Sequence, residues 1–245
     1  MQKLPVGIQT FRTIIEGDYL YIDKTEIARA LIDNYRYVFL SRPRRFGKSL
    51  FLDTLKNIFE GKRELFRGLL IEEQWNWEVT WPVIKISFSG GVHSKADLEV
   101  DLLHILKSNE ERLGLKCENR SRAQYFFAEL IKKASEKYKQ KVVILVDEYD
   151  KPILDNLEKP SLATQLYDML KDFYGAFKPL DPWLRFVFLT GVSKFAKAGI
   201  FSGLNNLKDI TVDARYSAIC GYTQADLETV FVDRLDGLDL EAVCT

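Results

Sequence analysis

Residues Tyr37-Val38-Phe39-Leu40-Ser41 run directly into Arg42-Pro43-Arg44-Arg45-Phe46-Gly47-Lys48-Ser49-Leu50. An apolar strand that opens through a Gly-Lys-Ser turn into a helix is a phosphate cradle. The first helical N–H groups have no intrahelical partner and sit at the positive end of the helix dipole. Gly47 lets backbone approach phosphates with no Cβ in the way. Lys48 reaches the β- and γ-phosphates as a point charge, and the Ser49 hydroxyl is a ligand for Mg²⁺. The general pattern carries another glycine five residues before Gly47. Arg42 stands there, so that pattern is broken.

A second stretch completes the first. Val142-Val143-Ile144-Leu145-Val146 is β-branched or Leu throughout, as expected of a strand buried on both faces, and it ends in Asp147-Glu148. At the ligand edge of a parallel sheet, Asp147 would hold Mg²⁺ and Glu148 would orient an attacking water. A further buried strand, Arg185 to Thr190, is followed by Gly191 and Ser193. Thr190 there is either a γ-phosphate sensor or part of a simple turn. Arg42, Arg44 and Arg45 form a basic cluster, either neutralising phosphate or meeting a partner, or standing in a solvated loop.

The rest of the chain supplies a scaffold. Apolar alternation over 83–88, ended by Gly90-Gly91, predicts a strand. Helical periodicity predicts helices from about Lys48 to Phe59 and over about 95–113, 121–138 and 161–177. Residues 207–212 predict a short fifth strand, and Thr223 opens a last helix with Leu227, Val230 and Phe231 inward. Asp23, with Glu26 three positions on, predicts a helix cap. Tyr19 and Tyr21 predict a half-buried strand. Trp75, Trp77 and Trp81 read as packing, and His93 and His104 as structural. Strands alternating with helices give an α/β fold, a mainly parallel sheet sandwiched between helices.

The bulk composition narrows the function. With 245 residues, 47% hydrophobic, the chain supports a large core. Lys plus Arg and Asp plus Glu are each 35, so nucleic-acid binding would need a local patch rather than overall charge. Three widely spaced cysteines and two isolated histidines offer neither a disulfide framework nor a zinc site, and a reducing cytoplasm is expected. No apolar run approaches the roughly 20 residues that span a bilayer, and Met1 to Pro5 lead into no signal-peptide core.

Several segments carry a more specific likeness. They are Leu4-Pro5-Val6-Gly7-Ile8-Gln9-Thr10-Phe11, Tyr21-Ile22-Asp23-Lys24-Thr25, Phe39 to Leu50, Val146-Asp147-Glu148-Tyr149-Asp150-Lys151-Pro152-Ile153, and Leu189-Thr190-Gly191-Val192-Ser193-Lys194-Phe195. In this order they closely resemble the AAA-ATPase-like family of prokaryotic P-loop proteins, often joined to a C-terminal nuclease-like domain of the PD-(D/E)XK type. That family accepts Arg-Pro-Arg-Arg-Phe-Gly-Lys-Ser as its own phosphate loop.

The resemblance implies a P-loop NTPase with an additional strand between the Walker A and Walker B strands, and ATP and Mg²⁺ as ligands. It carries phosphate binding onto Gly47, Lys48, Ser49 and Leu50, and Arg45 and Phe46 just before them are expected to join the nucleotide-binding loop. Catalysis falls to Lys48, Glu148 and Thr190, and metal binding to Ser49 and Asp147. Gly7 to Phe11 and Tyr21 to Thr25 are expected near the base. Residues 1–220 form the ATPase-like domain. Residues 221–245, from Gly221-Tyr222-Thr223 with Asp226 and Glu228, begin a helical lid, so the sequence is either a fragment or a truncated member.

The expected function is Mg-dependent ATP hydrolysis coupled to an unknown partner or a nuclease-like domain. Three rivals stand beside it. They are a nucleotide-binding regulatory scaffold, a nucleic-acid-binding module using the arginine cluster, and a P-loop kinase.

Overall fold

The computed structural model describes residues 2–88, 90–194, 197–201, 204 and 206–235. Strands β1 (Tyr37–Ser41), β2 (Val83–Ser87), β3 (Val142–Asp147), β4 (Leu184–Gly191) and β5 (Lys208–Asp209) form one sheet in the order β2-β3-β4-β1-β5. Every pairing in it is parallel. The expected additional strand is therefore β4, lying between β1 and β3.

Successive strand side chains point to opposite faces, so each strand feeds two cores. Phe39, Ile144, Val146 and Leu189 enter one. Val38, Leu40, Val143, Leu145 and Phe188 enter the other. The first core is closed by Leu98 and Leu102 of α4 (Lys95–Arg112), Phe127 and Leu130 of α5 (Ala123–Tyr138), and Leu166 and Leu170 of α7 (Pro160–Gly175). The second is closed by Phe11 of α1 (Phe11–Glu16), Leu31 of α2 (Thr25–Asn34), and Leu52, Leu55 and Ile58 of α3 (Lys48–Phe59). The four-residue α6 (Lys151–Leu154) follows β3 directly. All six residues of β3 are buried, and each aliphatic side chain among them contributes about 1.5–3 kcal/mol of burial.

Several expectations shift. The helix expected to reach 177 stops at Gly175, and a separate turn spans Phe177–Leu180. The fifth strand contracts to two residues. Tyr19 makes a single parallel bridge to Lys3, and Tyr21 lies outside any strand. Left-handed backbone at Asp18 (φ 50°) breaks the extended run just before this pair. Tyr21 instead packs edge-on against Phe11, with centroids 5.1 Å apart. Asp23 does not cap α2 in the expected register. Its carboxylate accepts from Thr25 N at 2.8 Å and from Leu70 N at 2.7 Å, tying the helix start to a distant turn. The expected last helix divides into Gln224–Thr229 and Val232–Leu235; Thr223 forms the cap as expected, but Val230, between the two, is exposed.

β4 carries one extra residue opposite β3. Val142 pairs with Leu184 and Val143 with Phe186, leaving Arg185 as a bulge. In consequence Leu184 and Phe186, two residues apart, face different cores.

Candidate functional site

The site lies where β1, β4 and β3 end. Register places Leu40 beside Thr190, and Val146 beside Leu189. After Ser41 the chain is held to the β4 exit twice. Arg42 N donates to Gly191 O at 3.2 Å, and Ser41 Oγ donates to Val192 O at 2.9 Å. The turn then enters α3 through Gly47, whose φ of 86° lies in the left-handed region. No atom lies within 4 Å of where a Cβ at Gly47 would stand, so glycine is required there for its backbone and leaves the approach open.

Lys48, the first residue of α3, is 5% exposed. Its Nζ donates to Arg42 O and Pro43 O, both at 2.9 Å, so the ammonium spans its own loop. Ser49 lies in the first turn of α3. Leu50 packs against the second core, which leaves its backbone N–H facing the turn. Arg45 and Phe46 stand on the exposed side of the loop, Arg45 with φ 64°.

The arginine cluster divides its roles. Arg42 donates to the carbonyl oxygens of Thr211 and Ser41, so its guanidinium is tied to the β5 exit. Arg44 reaches Asp155 at 3.7 Å. Arg42 is thus hydrogen-bonded to neutral carbonyls, whereas Arg44 is exposed and makes one long ion pair.

Asp147 ends β3 and is 3% exposed. Its Oδ1 accepts from Thr190 Oγ1 at 2.7 Å. Thr190, itself fully buried, therefore bridges the two motif strands rather than sitting in a simple turn. Among the described residues no cationic side chain pairs with Asp147. Glu148 follows with φ 53°, a left-handed conformation that costs a non-glycine residue about 1–2 kcal/mol. It is partly exposed beside the buried Asp147.

Asp150, which the sequence reading did not single out, is 1% exposed. Its Oδ2 accepts from Val192 N at 3.1 Å and from Ser193 N at 2.8 Å. Tyr149 OH donates to Ser193 O at 3.0 Å. Gly191 is required here because a Cβ would stand 2.4 Å from the Tyr149 ring. The spacing Asp-Glu-Tyr-Asp was visible, but nothing local signals that its last carboxylate meets a chain some forty residues on.

The later segment also closes on the loop. A Cβ at Gly221 would stand 3.2 Å from the Phe46 ring. Lys24 pairs with Asp226 at 3.2 Å, and both side chains are largely buried. Burial pushes the Cys220 thiol up to about 11, although Arg42, Lys48 and Lys24 act to lower it and Asp147 to raise it. Within the sheet, β1 and β3 stand about 10 Å apart across β4. Residues 236–245, expected in the lid, lie outside the described residues, as does Phe195.

The donors suit Mg²⁺. A buried carboxylate with no cationic partner and a serine hydroxyl are hard oxygen ligands. Magnesium characteristically takes few protein ligands and completes its shell with water and phosphate oxygens. Correspondingly, no cluster of three or more His, Cys, Asp or Glu residues arranged for a metal occurs among the described residues. His93 and His104 are both exposed.

An all-parallel sheet flanked by helices, with a Gly-Lys-Ser turn at its carboxyl edge, is the fold of the P-loop NTPases. A family model described as "Predicted AAA-ATPase" matches residues 5–201, and the chain belongs to this AAA-ATPase-like family. A curated relative from Azotobacter chroococcum mcd 1, "Uncharacterized protein in vnfD 5'region", is 53% identical over 247 residues, covering 99% of this chain and 47% of the relative. The chain thus spans about half the length of that relative. Family membership suggests nucleotide binding. No helix among the described residues is long and apolar enough to cross a membrane.

Proposed function

We infer that this chain binds ATP with Mg²⁺ and hydrolyses it by in-line attack of water on the γ-phosphate. The observation that carries this reading is the junction at the sheet edge. Lys48 at the start of α3 and Asp147 at the end of β3 flank Thr190, which is bonded to Asp147. The amides of residues 45–50 would cradle the phosphates, with Lys48 moving from the Arg42 and Pro43 carbonyls to phosphate oxygens. Ser49 and Asp147 would hold the metal, which supplies neutralisation of charge on the β- and γ-phosphates. Glu148 orients the attacking water, and its left-handed backbone supports a role that repays strain. Thr190 fixes one oxygen of Asp147, and the other would be the metal ligand.

The test compares wild-type protein with Glu148→Gln. The variant should bind Mg-ATP with affinity within about threefold of wild type, yet release phosphate at least about a hundredfold more slowly, the loss typical of a positioned base. Equal phosphate release by the two proteins would remove Glu148 from the reaction.

A second reading, nucleotide-dependent scaffolding without turnover, is favoured by one feature. Lys48 is held by two loop carbonyls and must give up both bonds before it meets phosphate. Tight Mg-ATP binding with no phosphate release from wild type would select it. Coupling to a nuclease-like domain or another partner is part of both readings.

A further inference from the structure

The amino-terminal edge of the sheet, opposite the Gly-Lys-Ser turn, holds a cavity of ≈ 400 Å³. Its lining includes Asp33, Tyr35, Arg36, Lys141, Leu184 and Arg185. That volume falls within the roughly 300–1,000 Å³ range of small-molecule sites. The eight-residue β4 separates it from the proposed nucleotide site by about 23 Å.

The charges lining this cavity do not cancel. Arg36 is spent: Nε donates to Leu184 O at 3.1 Å, Nη1 to Asp181 Oδ2 at 3.0 Å, and Nη2 to the Asp181 carbonyl. Asp33 is paired with Arg29 at 3.1 Å. Two cations are left over. Neither Arg185 nor Lys141 has a carboxylate within ion-pair distance among the described residues. Arg185 lies with its guanidinium carbon 5.8 Å from the centre of the Trp81 ring, and burial lowers its pKa. Asp33, already paired with Arg29, acts on this guanidinium only through space and Arg36 opposes it, and a partly desolvated cation so placed is costly unless a further anion meets it.

The backbone supports the same reading. Arg185 is the bulged residue of β4, so one extra residue has been inserted where this side chain emerges. Bulges re-aim side chains, and this one turns a position between two core residues into a lining position of the cavity.

We propose that this edge is a second ligand site, taking a small dianionic phosphate ester between the planar fork of Arg185 and the point charge of Lys141. Arginine matches phosphate oxygens in pairs and lysine adds charge without fixed geometry. An open concavity with an excess of two positive charges, on a chain of zero net charge, suits a small dianion better than a nucleic-acid backbone. This site is independent of the nucleotide reading.

The test titrates methyl phosphate into the ¹⁵N-labelled full chain carrying Lys48→Ala, so that the Gly-Lys-Ser turn does not report. Sodium chloride at matched ionic strength is the control. Saturable shifts of the Trp81 indole and Arg185 Nε–H signals are expected with methyl phosphate only. Adding Arg185→Gln should weaken binding at least about tenfold, the worth of a charged hydrogen-bonded pair. Lys141→Gln, an exposed position that leaves folding intact, should weaken it about threefold or more. Shifts that chloride reproduces, or an affinity unchanged by Lys141→Gln, would overturn the proposal even if Arg185→Gln fails to fold.

Discussion

Asp150 is almost wholly buried, yet no cationic side chain among the described residues pairs with it; it is satisfied by main-chain amides of Val192 and Ser193. Those residues leave β4, and the same segment accepts from Ser41 Oγ and Arg42 N at the mouth of the phosphate turn. The carboxylate two residues after Glu148 thus sets the spacing between the proposed water-orienting acid and the proposed phosphate loop. Asp150→Ala strands two amides at a cost of about 1–3 kcal/mol and loosens that spacing. We expect it to slow phosphate release about tenfold or more, since each 1.4 kcal/mol in the barrier is a factor of ten. Asp150→Asn keeps an acceptor oxygen and should stay within about threefold of wild type on the same scale. Equal losses in both variants would show that the charge, rather than the hydrogen bonding, is what matters.

At the scale of elements, α4 and α5 are joined by a loop that side chains from both helices hold, Glu110 from one and Glu129 from the other. Glu129 of α5 accepts from Glu118 N at 3.0 Å and Asn119 N at 2.7 Å, and pairs with Lys133 at 2.8 Å. The Lys133 bond first, then the two amides, hold its pKa down from 4.5 to about 2. A depressed carboxylate stabilises the fold above its unfolded pKa and loses that contribution as pH falls through the folded value. Melting temperatures of wild type and Glu129→Gln should therefore converge as pH drops from 4.5 to about 2. Parallel curves across that window would deny Glu129 this role.

Elements whose signals are local were legible in the sequence. The limits of β3 and α3 follow from an unbroken apolar run and from a Gly-bounded helical stripe. The insertion of β4 between β1 and β3 was carried by family resemblance, because strand order is a property of pairing between distant segments. Tyr19 and Tyr21 alternate like a strand but find no partner strand beyond one bridge to Lys3. The role of Arg42 stayed open between phosphate, a partner and a solvated loop because the carbonyl it meets, that of Thr211, is 169 residues away. The bulge at Arg185 was hidden for the same reason. Of the site, Lys48, Asp147 and Thr190 were named from the sequence, whereas Asp150, Cys220 and the Lys24–Asp226 pair emerge only from the tertiary fold.

The molecule as a whole is a parallel sheet with two unlike edges. Its carboxyl edge carries Lys48, Asp147, Thr190 and Glu148, the edge at which parallel α/β sheets characteristically bind ligands. Its amino edge carries the Arg185 cavity. Segments from both chain ends meet over the first edge, through Lys24 with Asp226 and Phe46 with Gly221. The central claim is that this edge binds a nucleotide. The most direct measurement is the melting temperature of the full chain with and without Mg-ATP, for wild type and Lys48→Ala. At a hundredfold excess over Kd, the ligand should stabilise wild type by about 2.7 kcal/mol and leave Lys48→Ala unmoved. A wild-type protein that melts at the same temperature with saturating Mg-ATP as without it would contradict the account.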